Sequence, residues 1–236
     1  MEETLPKLTK RPEEPLPPEW SSDPEGLLKS RPGLIRAALT GGVASGKSTV
    51  AELLIAFGAD LIDFDILARQ ILEPELPGWT KAVELFGHKM VNPDKTLNRA
   101  KIGALVFKKP DLRKKLEEIV HPQAWELMLK RLSELKESPL IVIDVPLLFE
   151  ARINSLFSPV VLCFCTPVQQ YQRLRGRDPH KGRGLCKKII KSQGPPSEKV
   201  RLSNYIINNS GSLTELIRQT KKVWLDLQAN PGPEIQ

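Results

Sequence analysis

Aromatic residues, cysteines and long apolar runs are all scarce in this 236-residue chain. Aromatic residues make up 6% of it, which leaves few surfaces on which the bases of a single-stranded nucleic acid could stack. No apolar run approaches the roughly 20 residues that span a membrane as a helix. The N-terminal sequence MEETLPKLTKRPEEPLPPEW lacks the apolar segment of a signal peptide and is too acidic for a transit peptide. We therefore expect a cytoplasmic protein that binds neither membranes nor nucleic acids.

The three cysteines are too few for a disulfide framework. Two of them, Cys163 and Cys165, lie two residues apart in the apolar run VVLCFC, so that on a strand their side chains share one face. Such a pair is far more often buried in a core than bound to a metal. We predict buried, free thiols, which suit the reducing conditions of the cytosol.

The chain is basic but otherwise has an ordinary globular composition. Hydrophobic residues make up 40% and charged residues 27% of it, and its formal net charge is +7 with a pI near 9.3. An excess of positive charge favours a polyanionic partner, and nucleotides, coenzymes, nucleic acids and anionic lipids all fit that description. The length allows one substantial domain with an inserted lobe.

Strand and helix patterns alternate between two tails. Residues 1–33 are rich in proline and charge and predict a disordered or loosely attached tail, and 229–236 predict a short C-terminal tail. Near-continuous apolar runs separated by helical patterns predict an α/β fold, with a five-stranded parallel sheet covered on both faces. The predicted strands are 34–39, 59–64, 139–145, 159–164 and 204–208. Residues 66–138 show helical patterns such as PDLRKKLEEIV and HPQAWELMLKRLSELK, which predict an inserted helical lobe.

The segment ALTGGVASGKSTVAELL has the form of the phosphate-binding loop of P-loop NTPases. Gly41, Gly46, Lys47 and Ser48 fit the pattern G-x-x-x-x-G-K-[ST], between an apolar strand and a helical pattern as the motif requires. Backbone N–H groups would hold the phosphates of ATP, Lys47 would reach the β- and γ-phosphates, and the Ser48 hydroxyl would bind Mg²⁺. The predicted ATP-binding residues of this loop are Gly42, Ala44, Ser45, Gly46, Lys47, Ser48 and Thr49.

Two aspartates and an arginine follow the second predicted strand. In LIDFDILAR, Asp63 and Asp65 lie two residues apart, so that on a strand both carboxylates would point to the same side, and Arg69 follows Asp65 by one helical turn. At the carboxyl end of a strand, such a carboxylate could accept a hydroxyl proton and the arginine could bind a phosphate. From the spacing alone, a helix cap with a surface ion pair is the alternative interpretation.

Together these motifs resemble the dephospho-CoA kinase family. The resemblance rests on LTGGVASGKSTVAELLIAFGADLIDFDILAR, FG at 86–87, HP at 121–122, VPLLFE at 145–150, QRLRGRD at 172–178 and NNSGSLTEL at 208–216, in that order, and covers nearly all of 34–228. It implies a fold like that of nucleoside monophosphate kinases, with a core, a helical coenzyme-binding lobe and a lid at about 174–188. The implied reaction transfers the γ-phosphoryl group of ATP, with Mg²⁺, to the 3′-hydroxyl of dephospho-CoA.

The resemblance also implies roles for individual residues. Asp65 matches the family's proposed general base, with Lys47 and Arg177 as the other catalytic residues. The implied contacts with the coenzyme are those of Arg69, His121, Pro146 and Leu147, and the implied contacts with ATP are those of Arg173 and Asn209. Apart from the resemblance, Asp144 is placed like a Walker-B carboxylate and could steady Mg²⁺ through water, although the family does not require an acid there. Two alternatives stay open: His121 could be a packing residue at a helix start, and Pro146 to Phe149 could be ordinary core.

Three features depart from the family pattern, and one of them is Asn208, which stands where an aspartate is common. After RD, the family usually has a short acidic stretch that opens a helix, whereas this chain has the basic, glycine-rich PHKGRGLCKK, so the length and helix register of the lid are open. Most of these cations are expected to be solvated, with one or two acting on the transferring phosphoryl group. Ala44 replaces a frequent loop glycine, and its methyl group is expected to be tolerated if its φ is negative.

Two other functions stay open at this stage. One is a P-loop kinase for another small nucleotide-like acceptor, and the other is a non-catalytic nucleotide-binding protein. An acid, the loop lysine and lid arginines occur together in this chain, which favours catalysis. We expect a monomer or a weak homo-oligomer whose partners are ATP and dephospho-CoA.

Overall fold

The computed structural model describes residues 35–135 and 140–229. The predicted tail at 1–33 lies outside the described residues, as does all of the predicted C-terminal tail except Ala229. The chain divides into two compact units. Of the described residues, 35–61 and 140–229 belong to the first, which we call the P-loop unit, and 62–135 belong to the second, which we call the helical unit.

Strands and helices alternate in the P-loop unit, and helices follow one another in the helical unit. The strands are β1 (Ile35–Gly41), β2 (Asp60–Asp63), β3 (Leu140–Asp144), β4 (Val160–Phe164) and β5 (Tyr205–Asn208). The α-helices of the described residues are α1 (Lys47–Ala56), α2 (Phe64–Ile71), α3 (Pro77–Phe86), α4 (Arg99–Lys108), α5 (Pro110–Glu134), α6 (Pro167–Arg177), α7 (Arg183–Ser192), α8 (Pro196–Arg201) and α9 (Leu213–Ala229).

The strands form one sheet in the order β2-β3-β1-β4-β5, which confirms the predicted five-stranded parallel sheet. Its strands read as continuous apolar runs because helices cover both faces, and all five residues of β3 are buried. The strand order reverses beside β1, which pairs in parallel with both β3 and β4. The loop after β1 therefore lies at the switch point where open α/β sheets bind their ligands.

Helices α1 and α9 pack against each other and against the sheet. Val50 and Leu54 of α1 and Leu216 and Leu227 of α9 are buried in this core. The strand residues in the same cluster are Ala37, Leu39, Leu140, Val142, Val161, Cys163 and Ile207. Burying a Val or Leu side chain contributes about 1.5–3 kcal/mol, so the core fixes the start of α1 at the carboxyl edge of the sheet.

The helical unit has a core of its own. Ala82, Val83, Leu97 and Ile102 are buried together between the helices. In this unit α5 packs against α2, α3 and α4. Within the described residues, no helix of the protein has the length and apolar character that crossing a membrane requires.

Helix α5 corrects the prediction of two separate helices around His121 and Pro122. It is a single helix of 25 residues with Pro122 inside it. A proline within a helix removes one backbone hydrogen bond, and helices normally end before it. Here Val120, Ala124 and Trp125 are buried on both sides of the proline. We attribute the continuity to this packing, which outweighs the local preference of the His-Pro sequence.

Candidate phosphoryl-transfer site

The loop between β1 and α1 has the backbone of a phosphate cradle. Gly46 is the N-cap of α1 and adopts a left-handed φ of +91°, and no described side chain caps this helix start. The N–H groups of the first turn therefore face the loop with a partial positive charge. A Cβ at Gly46 would also overlap the Asn209 amide nitrogen. Conformation and space both require glycine at this position.

The carbonyl of Ser45 accepts several hydrogen bonds that hold the loop from behind. Its donors are Asn209 Nδ2 at 2.7 Å, Arg173 Nη1 at 3.1 Å and the Cys163 thiol at 3.4 Å. Arg173 Nη2 also donates to the Asn209 carbonyl at 2.8 Å. The sequence predicted ATP contacts for Arg173 and Asn209. The structure brings both to the loop backbone, and their contact with ATP stays a prediction.

Two glutamines that no sequence motif marks hold Val43, which lies two residues before Ser45. Gln170 Nε2 of α6 donates to the Val43 carbonyl at 3.0 Å, and Val43 N–H donates to Gln193 Oε1 at 2.6 Å. A Cβ at Gly42 would overlap the Gln170 amide nitrogen, which explains the glycine. No local motif marks these glutamines, since they meet Val43 only through the fold.

Ala44 has a positive φ of +56°, so the condition under which its methyl group was expected to be tolerated is not met. L-residues with a side chain are disfavoured in this region because Cβ crowds the following carbonyl. The hydrogen bonds to Val43 and Ser45 fix the residues on either side of it. The loop thus holds a non-glycine residue in an unfavourable conformation.

Lys47 forms an ion pair with Asp144 at the end of β3. The Lys47 side chain is 17% exposed and that of Asp144 6%, so the pair is largely shielded from water. The register explains it, because Asp144 stands opposite Leu39, two residues before the end of β1. The position of Asp144 in the sequence predicted a role with Mg²⁺, whereas no sequence motif indicates its pair with Lys47.

Oxygen ligands for a magnesium ion are available at this site. Ser48 is exposed in the first turn of α1, and Asp144 supplies a carboxylate at the same edge of the sheet. The described residues contain no cluster of three or more His, Cys, Asp or Glu that could hold a metal. Magnesium is typically bound by one or two protein oxygens together with substrate phosphates and waters, and Ser48 and Asp144 fit that mode.

The basic lid segment forms a short turn followed by a helix. α6 ends at Arg177, and α7 begins at Arg183 without a side-chain cap among the described residues, which answers the open question of the helix register. Lys181 pairs with Asp178 at 2.7 Å, and its hydrogen bond lowers the pKa of the Asp178 carboxyl. Arg175 donates to two backbone carbonyls of the turn. Arg177 is 62% exposed beside Asp178, and its role on the phosphoryl group stays a prediction.

All three cysteines are free and buried, as predicted for Cys163 and Cys165. Cys163 ends up beneath the loop because its strand position pairs with Gly41. Burial raises the pKa of the Cys163 thiol to about 11 and also raises that of Cys165. Both residues therefore act as packing groups and weak hydrogen-bond donors at neutral pH.

The segment after β3 is only partly an apolar wall. Pro146 is half-buried and Leu147 is 38% exposed, whereas Leu148 is fully buried and belongs to the core. Glu150 forms an ion pair with Lys199 of α8 at 2.6 Å, and both side chains are mostly buried. The contacts of Pro146 and Leu147 with a coenzyme stay predictions. The complete burial of Leu148 fits the alternative that this residue belongs to the ordinary core.

In the helical unit, the two aspartates do not share one side of a strand, so that prediction is wrong. β2 ends at Asp63, whose carboxylate accepts the Ile66 N–H at 3.0 Å and caps α2. Asp65 already lies in the first turn of α2, and Arg69 lies one turn further on. Both are exposed. The capping preference of Asp63 ends the strand earlier than the apolar pattern suggested.

His121 lies beside the start of α2 and not at the start of a helix. Its ring meets the ring of Phe64 edge-on, with centroids 6.4 Å apart. Phe64 is the first residue of α2, next to Asp65. Within the helical unit the structure therefore brings the predicted acceptor residues Asp65 and His121 to neighbouring parts of two helices.

The parallel sheet, the glycine-rich loop at its switch point and the Lys47–Asp144 pair define a P-loop nucleotide-binding protein of the kinase type. Residues 35–215 match the family model described as dephospho-CoA kinase, and the chain belongs to this family. The resemblance inferred from the motifs is confirmed.

Individual relatives agree with the family match. The dephospho-CoA kinase of Syntrophus aciditrophicus is 34% identical over 208 residues, which are 86% of this chain and 88% of the relative. The crystal structure of TT1252 from Thermus thermophilus is similar at 31% identity and a TM-score of 0.72, and the similarity covers 81% of this chain and 96% of that one. The dephospho-CoA kinase from Campylobacter jejuni, at 24% identity and a TM-score of 0.63 over 83% of this chain and 98% of that one, shows the shared fold.

Proposed function

We propose that this protein transfers the γ-phosphoryl group of ATP to the 3′-hydroxyl of dephospho-CoA, giving coenzyme A and ADP. The observation that carries the proposal is the family match over residues 35–215, which runs through both the P-loop unit and the helical unit. A phosphate-binding loop alone would suit many P-loop enzymes. The match also includes the segments expected to recognise the acceptor.

On the donor side, the loop and Lys47 bind the phosphates of ATP. First-turn N–H groups of α1 attract the anionic oxygens, and the Lys47 ammonium, paired with Asp144, lies at the carboxyl edge of the sheet to meet the β- and γ-phosphates. Ser48 and Asp144 would hold a Mg²⁺ ion, which would offset part of the phosphate charge.

On the acceptor side, Asp65 accepts the proton of the 3′-hydroxyl as its oxygen attacks the γ-phosphorus. The bond between that phosphorus and the β–γ bridging oxygen breaks, and ADP leaves. Arg69, one turn after Asp65, binds a phosphate of the coenzyme, and His121 borders the same helix start. Arg177 on the lid neutralises charge on the transferring group, while Pro146 and Leu147 contact the coenzyme.

The direct test is an ADP-release assay with ATP and Mg²⁺, run with and without dephospho-CoA, with the product identified by mass. We expect ADP release to depend on dephospho-CoA and the product to carry one additional phosphate. ADP release that is independent of dephospho-CoA, or that requires adenosine or a nucleoside monophosphate instead, would contradict the proposal.

The role of Asp65 is tested by Asp65→Asn. Losing a general base typically lowers the turnover by about 10²- to 10⁴-fold, and ATP binding should be retained because the P-loop unit is unchanged. The matched control is Asp111→Asn, which removes another exposed first-turn aspartate from the same unit. If Asp65→Asn turned over as fast as the parent, Asp65 would not be the base.

We further propose that the protein is a cytoplasmic monomer or weak homo-oligomer. Three buried, free thiols are consistent with a reducing compartment. Sedimentation across a range of protein concentrations measures the state of assembly, and a concentration-independent dimer would contradict the proposal.

A further inference from the structure

Both backbone polar groups of Val43 in the phosphate-binding loop are taken by glutamine side chains. The Val43 N–H donates to Gln193 Oε1 at 2.6 Å, and the Val43 carbonyl accepts from Gln170 Nε2 at 3.0 Å. A backbone N–H can only donate and a carbonyl can only accept, so the orientation of both amides is determined by these partners. The loop is therefore fixed at this point from two directions.

The two glutamines come from different parts of the P-loop unit. Gln170 lies on α6 and is 6% exposed. Gln193 is the C-cap of α7, and its position is set by the helix end, where Gly194 turns the chain with a φ of +71°. Gln193 approaches the loop closely, with its Oε1 at 3.5 Å from where a Cβ of Gly42 would lie.

Helix α7 is anchored less firmly than the other elements that hold the loop. Of its residues only Cys186 is buried. By contrast, α6 contributes the buried Gln170 and Leu174, and β5, which precedes Asn209, contributes the fully buried Ile207. Among the described groups that hold Val43 and Ser45, Gln193 is thus the one supplied by the segment that follows the lid turn.

The position of Gln193 matters because Ala44 follows Val43 directly. Ala44 is held at φ +56°, a conformation that is unfavourable for a residue with a side chain and that contacts on either side can hold in place. Asn209 and Arg173 provide that support at Ser45. Gln170 and Gln193 provide it at Val43.

We propose that Gln193 is a positioning residue for ATP binding. Its side chain couples the position of helix α7 to the conformation of the phosphate-binding loop. While α7 occupies its present position, the Val43 N–H is satisfied and the loop is ready for the phosphates. When α7 moves away, Val43 loses its acceptor and the loop relaxes. Movement of the lid segment and the affinity for ATP are then linked by a single hydrogen bond.

The test compares Gln193→Met with Gln193→Glu in the full-length protein. Methionine has a similar length but lacks the amide oxygen, so we expect the dissociation constant of Mg·ATP, measured without any acceptor, to rise roughly 5- to 30-fold, as the loss of one buried hydrogen bond implies. Glutamate keeps an acceptor oxygen. In the nucleotide-free protein it should retain the slow hydrogen exchange of the Val43 amide, whereas methionine should make that exchange faster.

The matched control is Gln172→Met, which changes an exposed glutamine on α6. It should leave both the ATP affinity and the exchange of the Val43 amide as in the parent. In steady-state assays, which rest on the proposed function, Gln193→Met should raise the KM for ATP and change the KM for dephospho-CoA by about 2-fold or less, because the Gln193 side chain bonds to the phosphate-binding loop.

Three results would overturn the proposal. The first is an unchanged ATP affinity in Gln193→Met, and the second is equal hydrogen exchange of the Val43 amide in this variant and the parent. The third is a lower kcat of Gln193→Met with both KM values unchanged, because that result would indicate a merely structural role for Gln193. ATP binding is measured without dephospho-CoA and therefore does not depend on which acceptor the enzyme uses. A wrong assignment of the acceptor would appear in the ADP-release assay and would not change the result expected here.

Discussion

Replacing Ala44 by glycine should stabilise the P-loop unit, because Ala44 is held at φ +56°. An L-residue in the left-handed region costs about 1–2 kcal/mol relative to an ordinary conformation. Glycine removes that cost but makes the unfolded chain more flexible, which costs about 0.5–1 kcal/mol. The central values of these ranges leave a net gain of about 0.75 kcal/mol. For a domain of this size it corresponds to a rise in Tm of roughly 1.5–3 °C.

The reverse substitution, Gly58→Ala, is the matched control in the same unit. Gly58 has a φ of +103°, and a Cβ there would meet nothing within 4 Å, so only the backbone conformation opposes alanine. We expect Gly58→Ala to lower the free energy of unfolding by about 0.5–1 kcal/mol or more. Both variants are measured by calorimetry and by unfolding in denaturant. If Gly58→Ala were destabilised while Ala44→Gly gained nothing, the strain at Ala44 would be refuted.

Two further predictions concern buried groups. Burial raises the pKa of the Cys163 thiol from 9.0 to about 11, so between these pH values the folded state keeps a proton that the unfolded state loses. The contribution of this thiol to stability is therefore fully present below pH 9, and the free energy of unfolding falls by up to roughly 2 kcal/mol towards pH 11. The decline should be weaker in Cys163→Ala, and identical pH profiles of stability in the variant and the parent would contradict this. Lys199→Met leaves Glu150 buried without its partner and should lower the free energy of unfolding, measured in denaturant, by about 3 kcal/mol. Adding Glu150→Gln should restore part of this loss, and a double variant less stable than Lys199→Met would contradict the prediction.

The sheet and the phosphate-binding loop were predictable because their signals are local. Continuous apolar runs such as LIVI indicate strands that are buried on both faces, and β3 is buried throughout. The pattern of Gly41, Gly46, Lys47 and Ser48 is local as well and occurs in the required strand–loop–helix setting. Those features depend on neighbouring residues alone.

The contacts that shape the loop were not predictable, because they join residues far apart in the chain. Gln170 and Gln193 bond to Val43 across 127 and 150 positions, and Asn209 bonds to Ser45 across 164. Neither hydrophobic periodicity nor motif spacing indicates contacts between residues that lie so far apart in the sequence. The same holds for the φ of Ala44, because these long-range contacts hold the residues on both sides of it.

Two predicted element boundaries were wrong because another interaction outweighed the local sequence preference. The His-Pro pair predicted a helix boundary, but buried residues on both sides of Pro122 keep α5 continuous. The apolar pattern extended β2 to residue 64, but Asp63 caps α2 and ends the strand. In both cases tertiary packing or capping decided a boundary, and the existence of the element was correctly predicted.

The arginines of the segment QRLRGRD can now be told apart by what their guanidinium groups already bind. Arg173 donates to the carbonyls of Ser45 and Asn209, and Arg175 donates to two carbonyls of the lid turn. A guanidinium that moves to a phosphate leaves its carbonyl acceptors unpaired, which costs about 1–3 kcal/mol for a buried acceptor. The cost applies most to Arg173, whose two bonds are part-buried, and less to Arg175, whose bond to Pro179 is exposed. Arg177 is 62% exposed and makes a surface ion pair, which is weak. Of these three arginines, Arg177 therefore has the guanidinium group that is least engaged by the protein, and its action on the transferring phosphoryl group stays a prediction.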